Sequence, residues 1–241
     1  WLWCWGVTTV LIVFLQFVAP TWIFPLFNQY EPLPEGELRN AMLAYAEKVS
    51  FPIEGLFVID GSRRSTKANA FFTGFGRRKR VALFDTLIDR HEPDELLAIF
   101  AHEVGHYKKG HILMGLAIAI AQYGLTFLAL SLFIDQRGLF EAFSVDEPST
   151  YAGLLFVGLL FSPIDLALSL PVQALSRRNE LQADTYARQT TGLTDELISG
   201  LKRLSADHLA NLTPHPLYVK RHYSHPPLID RVRALRRPGQ F

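Results

Sequence analysis

An uncharged stretch in the middle of the chain, residues 112–134, restricts the fold more than any other feature. It reads "ILMGLAIAIAQYGLTFLALSLFI", 23 positions without a charged side chain, and about 20 apolar residues suffice for a helix to cross a bilayer core. Residues 1–27 and 151–175 are two further apolar runs, the second interrupted by two prolines and an aspartate. A buried core helix is the alternative for each run. We predict transmembrane spans at all three positions.

The charges between these runs predict which regions share one side of the membrane. Residues 28–111 hold 12 Lys and Arg and residues 176–241 hold 11, whereas residues 135–150 hold one Arg among four acids. Cytoplasmic loops carry an excess of Lys and Arg, so we expect both basic regions to be soluble parts on the cytoplasmic side. Two crossings lie between them, so residues 28–111 and 176–241 can meet in one compartment.

The segment "AIFAHEVGHYKKGH" enters the apolar run at 112 and contains an HExxH pattern. On a helix, His102 and His106 project within about 40° of each other. Two imidazoles so placed can occupy two corners of a tetrahedral Zn²⁺ site, and Glu103 is positioned to take a proton from a water at the metal. A pattern this short also occurs by chance, so the hypothesis needs a third ligand.

The segment "SRRNELQADTYARQ" supplies a candidate third ligand. Glu180 and Asp184 are four residues apart, on one face of an expected helix. Glu180 could complete a His₂Glu set, and Asp184 could accept the free N–H of a ligand histidine and fix its tautomer. In the alternative interpretation the helix is solvated and these acids pair with Arg177 or Arg188. An HExxH on the same side of the membrane favours the metal site.

Composition excludes several other classes of function. Cys4 is the only cysteine, so the chain has no internal disulfide and no cysteine-based zinc cluster. The 24 basic and 23 acidic residues nearly cancel, and no nucleic-acid partner is predicted. "TGFGRR" lacks the remaining residues of a phosphate loop. The chain begins with Trp1 and without a basic leader, so we expect it to be a segment of a longer protein.

Four motifs, in order along the chain, resemble the type I CAAX prenyl proteases, which are integral-membrane zinc metallopeptidases of the gluzincin type. They are "NAFFTGFGRRKRVALFDTL" (69–87), the HExxH, "SRRNELQAD" and "YSHPPLIDRVRAL" (223–235). The resemblance covers nearly the whole chain. It implies a mainly α-helical, membrane-embedded domain over residues 1–241, with transmembrane helices, a zincin-like part and a small β-sheet or hairpin. The family has more helices ahead of this region.

The resemblance also implies roles for individual residues. It makes His102, His106 and Glu180 the Zn²⁺ ligands and Glu103 the general base. Asp184 lies beside the zinc ligands, where we expect it to orient a histidine rather than to donate a proton.

Three further assignments concern the substrate and the histidines. The resemblance implies that an extended peptide adds to a sheet edge, as in zincins, and that Asn69 and Ala70, at the matching positions, contact its backbone near the scissile bond. His225 and Arg231 are candidates to stabilise the oxyanion, with an ordered turn and helix start as the alternative. The remaining histidines are interpreted as structural or surface residues: His111 points elsewhere on its helix, and His91, His208, His215 and His222 lie on the surface.

The expected activity is hydrolysis of a peptide bond near the C-terminus of prenylated CAAX proteins, so the predicted partners are a peptide or prenylated protein and the lipid bilayer. One alternative is a membrane quality-control metalloprotease of broader specificity. Another is a non-catalytic membrane scaffold with a chance HExxH. The location would be the endoplasmic reticulum membrane in a eukaryote or the inner membrane in a bacterium, with the active site toward the cytoplasm. The sequence does not predict an oligomeric state.

Overall fold

A computed structural model describes residues 1–63, 70–73, 79–147 and 149–237. Most of them are helical. The helices are α1 (Leu2–Phe17), α2 (Ala19–Trp22), α3 (Phe24–Phe27), α4 (Glu37–Lys48), α5 (Asp85–Ile88), α6 (Pro93–Lys108), α7 (His111–Phe133), α8 (Arg137–Ala142), α9 (Thr150–Thr191), α10 (Thr194–Asp207), α11 (Pro216–His222) and α12 (Leu228–Arg236). The strands are β1 (Tyr30–Pro32), β2 (Ile53–Ile59), β3 (Ala70–Thr73) and β4 (Lys79–Phe84).

The strands within the described residues form a mixed sheet in the order β1-β2-β4-β3. β2 and β4 run parallel, while β1 and β3 join them antiparallel. The small sheet that the family resemblance implies is therefore present. β3 lies at the edge of the described part of this sheet. The turn between β3 and β4 lies outside the described residues.

Helix α6 begins where the sequence predicts it. Pro93 occupies the first turn, and Glu92 and Glu95 form a capping box in which each side chain accepts a backbone N–H at the helix start. The helix ends at Lys108, and Gly110 follows in the left-handed conformation, with φ of 71°. This backbone conformation suits glycine, and the chain turns there before α7 begins.

Helix α9 joins two segments that the sequence analysis treats separately. Its 42 residues run without interruption through Pro163 and Pro171 and continue to Thr191. The apolar run at 151–175 and the segment that carries Glu180 and Asp184 are therefore one helix.

Two helices, α7 and α9, are long and apolar enough to cross a membrane by length and composition. They match the predicted spans at 112–134 and 151–175. Residues 1–27 instead form the 16-residue α1 and two short helices, α2 and α3, with a proline in the first turn of each. No single helix covers this region, since a proline has no N–H to donate to the preceding turn and its ring clashes with that turn. A span there stays a prediction. α1 does lie along α7, where the Trp5 indole donates a hydrogen bond to the Ile120 carbonyl.

The main core surrounds α6. Buried side chains from α4, from the sheet and from α10 pack on it, including Met42, Leu83 and Leu197 around Phe100 and Leu96 of α6 itself. The remaining face of α6 lies against α9. The two helices approach closely at Gly105, where a Cβ would lie 3.1 Å from the Ala183 Cα and 3.2 Å from the Ala183 carbonyl oxygen. A residue without a side chain is therefore needed here.

We expect Gly105→Leu to destabilise the protein, because the new side chain would force α6 and α9 apart; overpacking of this kind costs about 1–3 kcal/mol. Thermal or denaturant unfolding of the detergent-solubilised protein measures the loss. Gly158→Leu is the control, because Gly158 is an exposed glycine of α9 with nothing within 4 Å of a built Cβ. Equal stability of the two variants would contradict the proposed role of this contact.

Candidate metal centre

Two histidines and one carboxylate converge between α6 and α9. The Nε2 atoms of His102 and His106 lie 3.2 Å apart. The Glu180 carboxylate lies 3.3 Å from His106 Nε2 and 3.5 Å from His102 Nε2. One ligand atom from each residue falls within 4.8 Å of the others, and within the described residues these three form the group able to hold a metal ion.

The spacing of these atoms fits a zinc site. Zn–N and Zn–O bonds of about 2.0–2.1 Å at tetrahedral angles separate neighbouring ligand atoms by about 3.3 Å. The separation of the two Nε2 atoms and the distance from each Nε2 to its nearer Glu180 oxygen lie close to that value, with His106 nearer Oε1 and His102 nearer Oε2. Two imidazoles and one carboxylate, with one corner left for water, are also a donor set that catalytic zinc uses. The residues present therefore fit the metal that the sequence predicts.

Asp184 holds His102 from behind. Its Oδ1 lies 2.9 Å from His102 Nδ1, so the histidine donates from Nδ1 and directs Nε2 toward the other ligands. Arg231 of α12 donates two hydrogen bonds to the same carboxylate, from Nε at 2.7 Å and from Nη2 at 2.5 Å. Asp184 and Arg231 are both buried. This arrangement matches the orienting role expected for Asp184.

His225 and Arg231, the two candidates for oxyanion stabilisation, both reach Glu180. His225 Nδ1 lies 2.9 Å from the carboxylate and Arg231 Nη1 lies 3.7 Å from it. Their environments differ, because the His225 side chain is 65% exposed whereas the Arg231 side chain is 11% exposed and is engaged by Asp184. The HPP segment thus lies at the centre, and the roles of these two residues stay predictions.

The pKa values at the centre depend on two buried carboxylates, Glu180 and Asp184, that lie close to the Arg231 guanidinium. Burial raises the pKa of Glu180, but hydrogen bonds from His102, His106 and His225 outweigh it and hold the pKa below its ordinary value. Burial likewise raises the pKa of Asp184, but the charge of Arg231 and the hydrogen bonds from Arg231 and His102 together outweigh burial and lower the pKa. Both groups lie beyond the predicted span at 151–175, and both are carboxylates at neutral pH.

His102 responds in the opposite direction. Burial alone lowers its pKa, but the hydrogen bonds to Asp184 and Glu180 outweigh burial and raise the pKa to about 9. Without a metal, this imidazole therefore holds a second proton at neutral pH. A metal ion must displace that proton before Nε2 can bind it.

His111 contradicts the expectation from the sequence. Its Nδ1 lies 3.0 Å from His106 Nδ1, and its Nε2 lies 3.1 Å from Gln182 Oε1. The prediction assumed one continuous helix, on which residue 111 points away from residue 106. The left-handed turn at Gly110 breaks that helix and brings the His111 ring back. A glycine two residues after the end of α6 was the sequence signal for this break.

The other histidines divide. His208, His215 and His222 are exposed, as predicted. His91 is buried, at 6% exposure, and its Nδ1 lies 3.0 Å from the Leu87 carbonyl oxygen. The prediction of a surface position for His91 is therefore wrong.

A cavity of about 580 Å³ opens beside the ligands. Glu103, which is half-buried, lines it together with His225 and Arg231. Ala70, the first residue of the edge strand β3, contributes to its wall. Much of the remaining lining is apolar and comes from α6, α10 and α12: Ile99, Leu201, Leu204 and Leu228. Asn69 lies outside the described residues.

Residues 32–238 match the family model described as peptidase family M48. The chain belongs to this family. The predicted enzyme class, a metallopeptidase, is confirmed at the level of the M48 family, and with it the requirement for a metal.

Individual M48 relatives agree with the resemblance seen in the motifs. A CAAX prenyl protease 1 homolog of Oryza sativa is 36% identical over 232 residues, which are 96% of this chain and 54% of the relative. A CAAX prenyl protease 1 homolog of Homo sapiens is 33% identical over 274 residues, 98% of this chain and 58% of the relative. The chain thus spans about half the length of these relatives.

The crystal structure of Ste24p from S. mikatae matches the fold. The TM-score is 0.87 at 32% identity, covering 97% of this chain and 57% of that one. The match confirms the predicted fold class, a mainly helical membrane protein with a zincin-like part and a small sheet.

We expect zinc binding to strengthen with pH. A histidine whose metal-free pKa is about 9 competes for Nε2 below that pH, so the apparent affinity should rise about tenfold per pH unit up to about pH 9 and level off above it. Competition with a chelator at buffered zinc concentrations measures this. Asp184→Asn, which weakens the hydrogen bond that raises the pKa, should move the plateau to lower pH. An affinity independent of pH between 7 and 9 would contradict the assigned protonation state.

Proposed function

We propose that this chain forms the catalytic centre of a membrane zinc endopeptidase that cleaves near the C-terminus of prenylated CAAX proteins. One observation carries the proposal: the ligand atoms of His102, His106 and Glu180 lie at the separations of a tetrahedral site, beside Glu103 and an open cavity. The names of the M48 relatives supply the class of substrate.

The chemistry divides between the metal and the side chains. When bound, Zn²⁺ would acidify a water molecule and polarise the scissile carbonyl. Glu103 follows His102 directly and faces the cavity, so its carboxylate takes the proton of the attacking water and later passes it to the leaving amine. Asp184 keeps His102 in the tautomer that leaves Nε2 available.

The substrate backbone would lie along β3. An extended peptide can add to the edge of the described sheet as an antiparallel strand, and Ala70 at the start of β3 lines the cavity that contains Glu103. Ala70 is thus placed to contact the peptide near the scissile bond. The same role for Asn69 rests on the family motif.

His225 is better placed than Arg231 to contact the developing oxyanion. Two hydrogen bonds bind the Arg231 guanidinium to Asp184, so it chiefly stabilises the buried carboxylate. The His225 side chain is mostly exposed at the wall of the cavity. An imidazole in that position can turn toward a substrate oxygen and donate a hydrogen bond.

The apolar helices next to the centre suit a lipid-bearing substrate. A second cavity, of about 300 Å³, lies between α7 and α9 and begins at His106 and Glu180. Its walls are mostly apolar and include Ile112, Ile118 and Val172. A prenyl chain could be sheltered there while the peptide reaches the metal. We infer from the charge distribution that the centre faces the cytoplasm. The membrane would be the endoplasmic reticulum membrane in a eukaryote or the inner membrane in a bacterium.

Glu103→Gln should retain the metal and lose turnover. The amide keeps the size of the side chain but cannot accept the proton, and loss of general-base catalysis costs about 10²–10⁴-fold in rate. Zinc content by elemental analysis and cleavage of a farnesylated CAAX peptide are measured together. Glu47→Gln, an exposed position on α4, is the control. Undiminished turnover in Glu103→Gln would remove Glu103 from its role.

Substrate specificity is tested with a pair of peptides of identical sequence, one farnesylated and one not. We expect faster cleavage of the farnesylated peptide, because its lipid can occupy the apolar surface of α7 and α9. Equal rates would favour the broader quality-control protease. Stoichiometric zinc that is lost in His102→Ala would exclude the non-catalytic scaffold, whereas wild-type protein without zinc would refute the proposed metal site.

A further inference from the structure

We propose that His111 and Gln182 form a hydrogen-bonded pair that positions His106, fixing its tautomer so that Nε2 points at the metal. This inference rests on the proposed metal site and concerns two residues that have no role in the proposed mechanism. His111 begins α7, the first long apolar helix, and Gln182 lies on α9 between Glu180 and Asp184.

The contacts form a continuous chain from the metal site to α9. His106 offers Nε2 to the ligand group and Nδ1 to His111 Nδ1, 3.0 Å away. His111 in turn offers Nε2 to Gln182 Oε1 at 3.1 Å. The His111 side chain is buried, at 7% exposure, so solvent is a poor substitute for either partner.

The protons along this chain can be assigned by elimination. A neutral imidazole has one nitrogen that donates and one that accepts. His106 Nε2 needs its lone pair for a metal, so Nδ1 carries the proton and donates it to His111 Nδ1. His111 must then carry its own proton on Nε2 and donate it to an acceptor, which is Gln182 Oε1. A metal-ready His106 therefore requires the Gln182 oxygen, and not its NH₂ group, to face His111.

The opposite arrangement would block the site. If the Gln182 amide were rotated, its NH₂ group would donate to His111 Nε2 and leave the proton on His111 Nδ1. His106 Nδ1 would then accept, and its remaining proton would lie on Nε2, where the metal must bind. The orientation of the Gln182 amide on α9 thus determines whether His106 adopts the tautomer that can bind a metal or the tautomer that cannot.

Both ligand histidines are oriented from the same turn of α9. Asp184 holds His102 directly, whereas Gln182 holds His106 through His111. The residue between them, Ala183, lies against Gly105 where α6 and α9 approach closely. His111 belongs to α7, so the position of this third helix also affects the orientation of His106 toward the metal.

The test compares substitutions that remove an acceptor with substitutions that keep it. His111→Leu and Gln182→Leu each interrupt the chain and should weaken zinc binding about 10–100-fold, as loss of such partners does in other metal sites. His111→Asn can place its carbonyl oxygen near the Nδ1 position and should recover much of the affinity. Gln182→Glu offers only acceptors and should bind zinc as well as the wild type.

Zinc dissociation constants come from chelator competition with the purified protein, and the Co²⁺ spectrum reports the ligand set independently. The matched control is His91→Leu, which removes an equally buried histidine that precedes α6 and contacts the Leu87 carbonyl oxygen through Nδ1. It should alter stability and leave zinc affinity unchanged.

The outcomes separate this inference from the proposed function. Stoichiometric zinc in the wild type with unchanged affinity in His111→Leu would overturn the inference alone. Weak binding in Gln182→Glu, together with weak binding in Gln182→Leu, would overturn it as well, because an obligate acceptor would then fail. Wild-type protein without zinc would refute the proposed function and this inference with it. Loss in both leucine variants and recovery in Gln182→Glu and His111→Asn would support it.

Discussion

The close contact between α6 and α9 is the constraint on which the rest of the structure depends. Each helix presents a pair of polar residues four positions apart, and neither pair can enclose an ion without the other. Gly105 allows the backbones to approach at Ala183, and at that separation imidazole and carboxylate atoms lie 3.3–3.5 Å apart. A wider spacing would leave two half-sites. Gly105 and Ala183 therefore bring the ligand atoms close enough to bind one ion, although neither residue is a ligand.

Charge within the contact is balanced only in part. Glu180 and Asp184 are buried carboxylates, and Arg231 supplies one buried positive charge against them. Leaving an unpaired charge in such a place costs several kcal/mol. The raised pKa of His102 shows how the metal-free protein compensates, since a proton on the imidazole provides a second positive charge. A divalent cation at the same position would replace the proton. The same excess of negative charge therefore favours a proton on His102 in the metal-free protein and favours metal binding.

Much of this could be predicted from the sequence, and the failures have physical causes. The pairs at 102 and 106 and at 180 and 184 follow from local helical geometry, and HExxH restricts the chemistry. The bidentate contact of Arg231 with Asp184 spans 47 residues, and no local pattern encodes it. His111 was misplaced because one left-handed residue, Gly110, changes the direction of everything after it. Pro163 and Pro171 suggested an interrupted run, yet α9 passes through both.

The continuity of α9 sets the height of the metal site above the membrane. The predicted span ends at residue 175, and Glu180 follows five residues later on the same helix, which is about 7–8 Å along the axis at 1.5 Å per residue. α7 begins at His111, in contact with His106, so the other long apolar helix starts at the same level. A peptide bond at the metal would then lie within a few residues of the hydrocarbon boundary. This position suits the proposed substrate, whose scissile bond would lie close to a lipid-bearing residue.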